Sequence, residues 1–500
     1  MRSTSLLATV LVFSLGILPA RAADEGAFAV RGATVHTVSD GTVENAVLVV
    51  ENGKVKEIRA DGSVPGGFRV IEAEGKVVTP GFVDAGAILG LDANDRRGAS
   101  AELDVLDAFD RYREDDIASI RATGTTAVAI DPGPPGPFAG LGAVLRLVPG
   151  GADLAAMTLR REAFERGALG LVQGSRTTSL QRLEDYYSMQ RTLVSTKEYI
   201  EQWEKYKEDL AEYEKKKKEW DEKKKNAPKG EGAAETKEPP KPAETEGAGE
   251  ERRGGRGGRG GGPPPGGERR GGFRRPPGGG GEGSERPAAE RSSEGDKDGP
   301  PKKPDKPRTD PAREALIGVV KGERPLFLEA HLASDIRNAL RLVDEFGVRL
   351  VLLGATEAVP LADEIRSRGV AVIVGPVVLP GRRDLARDEH DPALAARLHA
   401  AKVPVAISSG GVAALGSRYL NLAAAAAASF GLPGDAALAS ITLRPAEALE
   451  VADRIGALAP GRDADFLIWD RHPTEDARAR LEAVYVGGVR IDEDELRRRG

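Results

Sequence analysis

The stretch from Val77 to Leu91 constrains the fold of this chain more than any other. It passes through a turn at Pro80-Gly81 and continues as an apolar run in which Asp84 is the only polar residue. Nearly continuous apolar strands are typical of parallel sheets that are covered on both faces. The stretch therefore predicts the first strand of a buried parallel sheet, with one acidic residue inside it.

The middle of the chain alternates between segments with strand patterns and segments with helix patterns. Predicted strands are Thr125–Ile130, Ala143–Val148, Leu326–Ala330, Arg349–Leu353, Ala371–Val374 and Pro404–Ile407. Predicted helices are Asp335–Phe346, Ala358–Arg368, Pro392–Ala401, Ser417–Phe430 and Arg444–Asp453. This alternation implies a parallel sheet and an α/β fold. We predict a (β/α)8 TIM-like barrel that is distorted near its third and fourth strands.

A separate β-rich segment precedes this barrel. Residues 27–78 alternate apolar and polar positions between turn signals. The pairs Asp40-Gly41 and Asn52-Gly53 favour tight hairpin turns. Several short strands are therefore predicted ahead of the barrel.

These segments resemble the amidohydrolase superfamily, and in particular its imidazolonepropionase-like, metal-dependent hydrolases. Pro80–Ala85 matches the entry to the family's barrel, and Gly53–Ile58 and Ile455–Asp470 match the segments on either side of it. The family's last barrel helix is matched by Thr442, Pro445, Ala446 and Leu449. The resemblance covers residues 27–180 and 312–491. It implies a catalytic barrel and a small β-sandwich formed by both ends of the chain.

The same resemblance places the family's metal ligands on this sequence. Such barrels hold one or two metal ions at their C-terminal mouth, where a bound water is acidified. The two histidines of the first strand fall on Gly86 and Ile88, and the histidine of the sixth strand falls on Gly354. The catalytic aspartate falls on Gly410, so that His331 on the fifth strand is the one ligand retained.

One histidine cannot hold zinc, because stable zinc sites have three or four protein ligands. The sequence therefore predicts no cofactor, with zinc expected only if a residual site forms. Glu329 shares a strand face with His331, and Asp84 is in phase with Gly86. One hypothesis is that Asp84, Glu329 and His331 converge as a weak metal site or an acid–base group. The alternative is that His331 is a hydrogen-bonded relic and that Asp84 has a structural role.

A charged helical segment over residues 186–225 interrupts the barrel. Its apolar residues recur at spacings of four, three, four, three and seven, which is an a/d seam. They are Tyr199, Trp203, Tyr206, Leu210, Tyr213 and Trp220. Two interpretations stay open: the stripe packs on its own barrel, or it binds a protein partner or a second copy of the chain.

Residues 226–311 form a low-complexity segment around the Arg-Gly-Gly run at 252–260. Such a composition cannot bury enough apolar surface to offset the entropy of ordering, so a disordered linker is predicted. Arg-Gly-Gly runs bind single-stranded nucleic acid in some proteins. Nucleic-acid binding is not predicted here, because the flanks are acidic and the net charge of the chain is −6.

The N-terminus has the pattern of a secretory signal. Arg2 is followed by a short apolar core over Leu6–Leu18 and by the small-X-small site Ala20-Arg21-Ala22. A bacterial periplasmic or secreted location is therefore expected, with no membrane span after cleavage of the signal. The chain has no cysteine, so disulfides cannot contribute to its stability.

The predicted organisation follows the chain. A signal peptide (1–22) precedes the N-terminal half of the sandwich (23–79) and the N-terminal half of the barrel (80–185). The charged helix (186–225) and the linker (226–311) come next, followed by the C-terminal half of the barrel (312–454) and the C-terminal half of the sandwich (455–500).

Three functions are compatible with this organisation. The first is an atypical, non-catalytic family member that binds a small molecule or a protein. The second is a hydrolase of carbon–nitrogen bonds with an unconventional site. The third is a scaffold that acts through the insertion.

Overall fold

A computed structural model describes residues 26–91, 100–133, 136–148, 153–170, 178–226, 299–377, 391–410 and 416–491. The predicted signal peptide and most of the predicted linker lie outside these residues. No helix within the described ranges is both long enough and apolar enough to cross a membrane. The chain divides into two compact units, one over residues 1–205 and 306–500 and the other over Tyr206–Asp305.

The strands are numbered along the chain. They are β1 (Ala27–His36), β2 (Thr42–Glu51), β3 (Lys54–Arg59), β4 (Arg69–Glu72), β5 (Val77–Pro80), β6 (Phe82–Ala87), β7 (Thr125–Ile130), β8 (Phe138–Arg146), β9 (Thr158–Ala168), β10 (Leu326–Ala330), β11 (Leu350–Gly354), β12 (Ala371–Val374), β13 (Val405–Ile407), β14 (Phe466–Trp469), β15 (Leu481–Val486) and β16 (Val489–Arg490).

The α-helices are numbered in the same way. They are α1 (Glu114–Arg121), α2 (Leu154–Met157), α3 (Ser179–Asn226), α4 (Pro311–Val320), α5 (Ala333–Phe346), α6 (Ala362–Ser367), α7 (Leu394–Ala400), α8 (Leu420–Ser429), α9 (Gly434–Ser440) and α10 (Leu443–Ala448).

Both ends of the chain meet in one sheet. Its order is β16-β15-β14-β5-β1-β2-β3, with β4 paired to β1, so the C-terminal strands extend the N-terminal ones. The Phe466 and Tyr485 rings stack 4.3 Å apart, and both pack with Phe28 in the core of this sheet. The predicted joining of the two chain ends is confirmed, and they form one continuous sheet.

The second sheet is the barrel, and its strands run in sequence order from β6 to β13. β8 is antiparallel to both neighbours, whereas every other adjacent pair is parallel. The connection from β7 to β8 is residues 131–137, which is too short for a helical crossover. The predicted barrel, with its distortion at strands three and four, is confirmed, and the reversed β8 is its cause.

Side chains join the first barrel strand to the segment after the last one. The Asp84 carboxylate accepts hydrogen bonds from the Ser417 hydroxyl at 2.5 Å and the Ser409 amide at 3.1 Å. The Ser409 hydroxyl donates to the Gly86 carbonyl at 3.1 Å. Asp84 therefore helps to close the barrel between β6 and the end of β13.

Helix α3 begins at Ser179, seven residues before the predicted start at Tyr186. Its first half covers the barrel between β9 and β10, where Tyr186, Met189 and Leu193 are fully buried. The Tyr186 hydroxyl also donates to Glu345 of α5 at 2.8 Å. The segment predicted as an insertion therefore starts as an ordinary barrel helix and is then extended.

The C-terminal end of the predicted linker is also part of the fold. The Asp310 amide donates to the Tyr199 hydroxyl at 3.4 Å, and Lys306 lies 5.5 Å from the centre of the Trp203 ring. Pro311 begins α4, with the Asp310 side chain as its N-cap. The predicted boundary at residue 311 is therefore too late, because these residues pack on α3.

Candidate functional site

Five polar side chains meet at the carboxyl ends of the barrel strands, and we call them the mouth cluster. Asp131 follows β7, Arg166 lies near the end of β9, and Glu329 lies in β10. His331 follows β10, and Thr356 follows β11. Active sites of barrels of this kind lie at this end, because parallel strands direct their C-terminal residues into one mouth.

Arg166 lies at the centre of the mouth cluster, and its side chain is only 2% exposed. Its Nε donates to both oxygens of Asp131, at 3.0 and 3.1 Å. Its two Nη atoms donate to the Glu329 carboxylate and the Gly167 carbonyl. Burial alone lowers the pKa of Arg166, but Asp131 and Glu329 more than offset this and raise it. The guanidinium is therefore a fixed positive charge between two carboxylates.

His331 links Glu329 to Thr356. Its Nε2 lies 3.2 Å from Glu329 Oε1, and its Nδ1 lies 2.7 Å from Thr356 Oγ1. Burial alone raises the pKa of Glu329, but Arg166 and His331 outweigh it and hold that pKa well below its usual range. Glu329 is therefore an acceptor, so that Nε2–H donates to it and Nδ1 accepts from the threonine hydroxyl.

The glycines at the substituted positions have little space around them. Gly354 has a φ of +77°, and a Cβ there would overlap the His331 ring. Gly410 has a φ of +70°, and its Cβ would come within 2.8 Å of Pro376 Cδ. Gly86 is less confined, with Ser408 Oγ 3.4 Å from the position of a Cβ. Side chains at Gly354 and Gly410 would therefore require the backbone to move, since left-handed φ values favour glycine.

Asp84 does not join Glu329 and His331 through any hydrogen bond or ion pair of the described residues. It is fully buried and bonds to Ser409, Ser417 and the Gly86 amide instead. Burial raises the pKa of Asp84, and these hydrogen bonds partly oppose the increase. These contacts join β6 to the segment after β13, and the convergence of Asp84 with Glu329 and His331 stays a prediction.

Three members of the mouth cluster, Asp131, Arg166 and Thr356, were not predicted from the sequence. One signal for Asp131 was available, since it is an acidic residue immediately after an apolar strand. Arg166 is a charged residue near the end of β9, whose last six residues are all buried. Thr356 had no such signal, because its role depends on where His331 lies.

Zinc is the metal that the resemblance to metal-dependent hydrolases implies for the barrel mouth. Both ring nitrogens of His331 are engaged by Thr356 and Glu329, and Glu329 is also paired with Arg166. Ile88 is an apolar side chain that is only 6% exposed. Within the described ranges, three or more His, Cys, Asp or Glu side chains nowhere come together as a metal site. The described residues therefore do not fit a zinc centre, which needs at least three ligands.

The predicted aromatic contact residues divide between the two compact units. Tyr199 is 2% exposed and donates to Glu314 of α4 at 2.9 Å, and the Trp203 ring lies against Tyr199 and Lys306. The other aromatic residues of the stripe belong to the separate unit that begins at Tyr206; they are Tyr206, Tyr213 and Trp220. The first two stripe residues therefore pack within their own chain.

The fold combines an eight-stranded barrel, which has polar residues at its mouth, with a second sheet built from both ends of the chain. Residues 315–491 match the model of the amidohydrolase family. An amidohydrolase from Thermotoga maritima MSB8 has the same fold, with a TM-score of 0.65 over 93% of this chain and 99% of that one, at 20% identity. The chain is therefore similar to the amidohydrolase family over residues 315–491, and it has the fold of the Thermotoga protein.

Two curated relatives are similar over shorter stretches. The amidohydrolase tasK of Hapsidospora irregularis is 34% identical over 90 residues, which is 18% of this chain and 9% of the relative. The imidazolonepropionase of Paracidovorax citrulli is 34% identical over 140 residues, which is 26% of this chain and 33% of the relative. The chain thus spans a third or less of each of these relatives.

Proposed function

We propose that this protein is an atypical amidohydrolase that binds a small molecule at the barrel mouth without a metal-activated water. The observation that carries the proposal is the position of the buried Arg166 side chain. Its buried guanidinium bridges Asp131 and Glu329, which are the two carboxylates of the mouth cluster, and Glu329 in turn contacts His331. A fixed cation in this position repels a metal ion and already neutralises one of the two carboxylates.

The charge of the cluster indicates the kind of ligand. Two carboxylates and one guanidinium leave a formal charge of −1 when His331 is neutral. Asp131 and Glu329 remain 13% and 12% exposed, so their free lone pairs can accept hydrogen bonds. Neutral or cationic compounds with N–H donors suit this site, and amides, ureas and cyclic imides are such compounds.

Calorimetric titration of the full chain with an amide, a urea and a cyclic imide tests the proposal. Binding of at least one class is expected, with the same affinity before and after dialysis against a chelator. Asp131→Asn should weaken binding at least tenfold, whereas Asp107→Asn, at a carboxylate that is 77% exposed, should not change it. Binding that requires a tightly held zinc ion, at about one per chain by elemental analysis, would overturn the proposal.

A second function is favoured by one observation, the chain of contacts from Thr356 through His331 to Glu329. A hydroxyl, an imidazole and a carboxylate in this order resemble the arrangement of nucleophilic hydrolases. Thr356 Oγ1 would attack the carbonyl carbon of an amide while its proton moves to His331 Nδ1. His331 would then protonate the leaving nitrogen, and water would hydrolyse the threonyl ester.

Hydrolysis of the same three compounds in the presence of chelator separates the two functions. Turnover that is lost in both Thr356→Val and His331→Gln supports the hydrolase. Binding without turnover, unaffected by Thr356→Val, supports the non-catalytic protein. Thermal melts of each variant identify losses that arise from unfolding.

A further inference from the structure

Helix α3 continues for 21 residues after the barrel unit ends at Lys205. At 1.5 Å per residue this second half is about 30 Å long. Among residues 206–226, only Tyr206, Leu210, Tyr213 and Trp220 are half-buried, and all the others are exposed. These four continue the seam of the first half at spacings of four, three and seven, which is the pattern of helices that pair side by side.

Charge along this half of the helix is divided into two blocks. Residues 206–214 contain four acidic residues and one lysine, for a net charge of −3. Residues 215–226 contain seven lysines and three acidic residues, for a net charge of +4. Two parallel copies would place each block against itself. Two antiparallel copies place the acidic block against the basic block.

We propose that residues 206–226 pair with the same segment of a second copy of this chain, in an antiparallel arrangement centred on Tyr213. A two-fold axis at Tyr213 places Tyr206 opposite Trp220, so that the aromatic residues of the seam face each other. The resulting interface uses the same surface twice, as two-fold symmetry requires.

The flanking charges agree with this register. Lys207 comes opposite Glu219, and Asp209 comes opposite Lys217. Each of these pairs occurs twice, because the axis repeats it. Glu212 and Glu214 come opposite each other next to the axis, and the repulsion between them is the one unfavourable charge pair among those named.

Other registers bring like charges together. Shifting one helix by three residues in one direction places Lys207 opposite Lys216, and shifting it by four in the other direction places Lys207 opposite Lys223. These shifts of about one helical turn are the ones that keep the seam facing the partner. Charge therefore selects the proposed register over its nearest competitors.

A lysine on the seam also favours a pair of helices over a larger bundle. Lys217 occupies a seam position near Leu210 of the opposite copy, where its aliphatic stem covers apolar surface and its ammonium reaches Asp209. Polar residues at such positions fix the register and the number of helices in a bundle.

Sedimentation of the full chain over a range of concentrations measures the association. The wild type should shift towards twice the monomer mass, and Tyr213→Glu should abolish this shift, because it places two carboxylates on the axis. Ala211→Glu adds the same charge off the seam and should keep the dimer. A monomer at every concentration, or equal effects of the two variants, would overturn the proposal.

Cysteine cross-linking tests the direction of the helices, because the chain contains no cysteine of its own. A mixture of Tyr206→Cys and Trp220→Cys chains should form mixed disulfide dimers under mild oxidation. Neither variant alone should form them efficiently. Cross-linking of Tyr206→Cys with itself would show a parallel pair and overturn the antiparallel arrangement. Unchanged thermal unfolding of the barrel confirms that the substitutions act on association only.

Discussion

Gly354 combines a left-handed backbone with direct proximity to the His331 ring, where a Cβ would lie 2.8 Å from Nε2. Left-handed conformations cost residues with a Cβ about 1–2 kcal/mol, and overpacking adds a similar amount. Gly354→Ala is therefore expected to lower the free energy of unfolding by about 2–4 kcal/mol. Urea denaturation of the purified variant measures this loss.

Gly86→Ala is the matched control, because the added methyl group would be 3.4 Å from Ser408 Oγ. Its cost should stay below about 1 kcal/mol. Equal losses in the two variants would show that the His331 ring can move away from Gly354 at little cost.

Asp335 in the first turn of α5 gives a prediction about pH. Burial raises the pKa of Asp335 to about 6, although Arg182 and Ser334 partly oppose it. The folded protein therefore holds this proton more tightly than the unfolded chain, in which the pKa of the Asp335 carboxyl is near 3.8. Protonated Asp335 therefore contributes its full stabilisation of the fold below pH 3.8, and this stabilisation is lost as the pH rises through 6.

Asp335→Asn should remove this pH dependence and stabilise the protein at pH 7 by about 1 kcal/mol, after allowance for solvent screening. Asp344→Asn, on the same helix, is the control. Hydrogen bonding by Arg368 lowers the pKa of Asp344, so its smaller contribution is lost on acidification instead. Thermal melts of both variants from pH 4 to pH 7 measure the difference, and parallel curves for Asp335→Asn and wild type would contradict it.

At the scale of elements, α3 is held to the barrel by one face of its first half. Tyr186 is fully buried, and Arg341 stacks on its ring at 4.4 Å, whereas the adjacent Tyr187 is 41% exposed. Tyr186→Ala should destabilise the protein by about 3–5 kcal/mol, because it leaves a cavity and removes one of the hydrogen-bond donors to Glu345. Tyr187→Ala should cost less than about 1 kcal/mol.

Chemical denaturation of the two tyrosine variants distinguishes a barrel helix from an appended one. If α3 were only an insertion, both substitutions would be mild. A small loss for Tyr186→Ala would therefore contradict the packing of α3 between β9 and β10.

At the scale of the whole molecule, a buried ion pair joins the barrel to the sheet of the chain ends. Arg146 of β8 donates through Nε to both oxygens of Asp465, at 3.1 and 2.9 Å, directly before β14. Their side chains are 12% and 3% exposed. Arg146→Met would leave the Asp465 carboxylate buried without its partner, at a cost of about 3–5 kcal/mol.

Arg31→Met is the control, because Arg31 and Glu72 form an exposed pair of 48% and 62% exposure. Its loss should cost at most about 1 kcal/mol. Scanning calorimetry measures both effects. A single transition in the wild type that separates into two in Arg146→Met would show that the pair couples barrel and sheet.

The sequence alone determined the local structure and the order of the elements. Apolar strands, amphipathic helices and turn pairs are encoded by neighbouring residues, so the barrel and the contribution of both chain ends were predicted from pattern and resemblance. The Glu329–His331 pair was also predictable, since residues two apart on a strand share a face.

Only the tertiary structure decided which residues complete the site. Arg166 and Glu329 are 163 residues apart in sequence, and Asp84 and Ser409 are 325 apart, yet each pair is in contact. Their proximity depends on strand register and on the reversal of β8, which no local pattern specifies. The same fold decided the partners of Asp84, because its carboxylate is held by the segment that follows the last strand of the barrel.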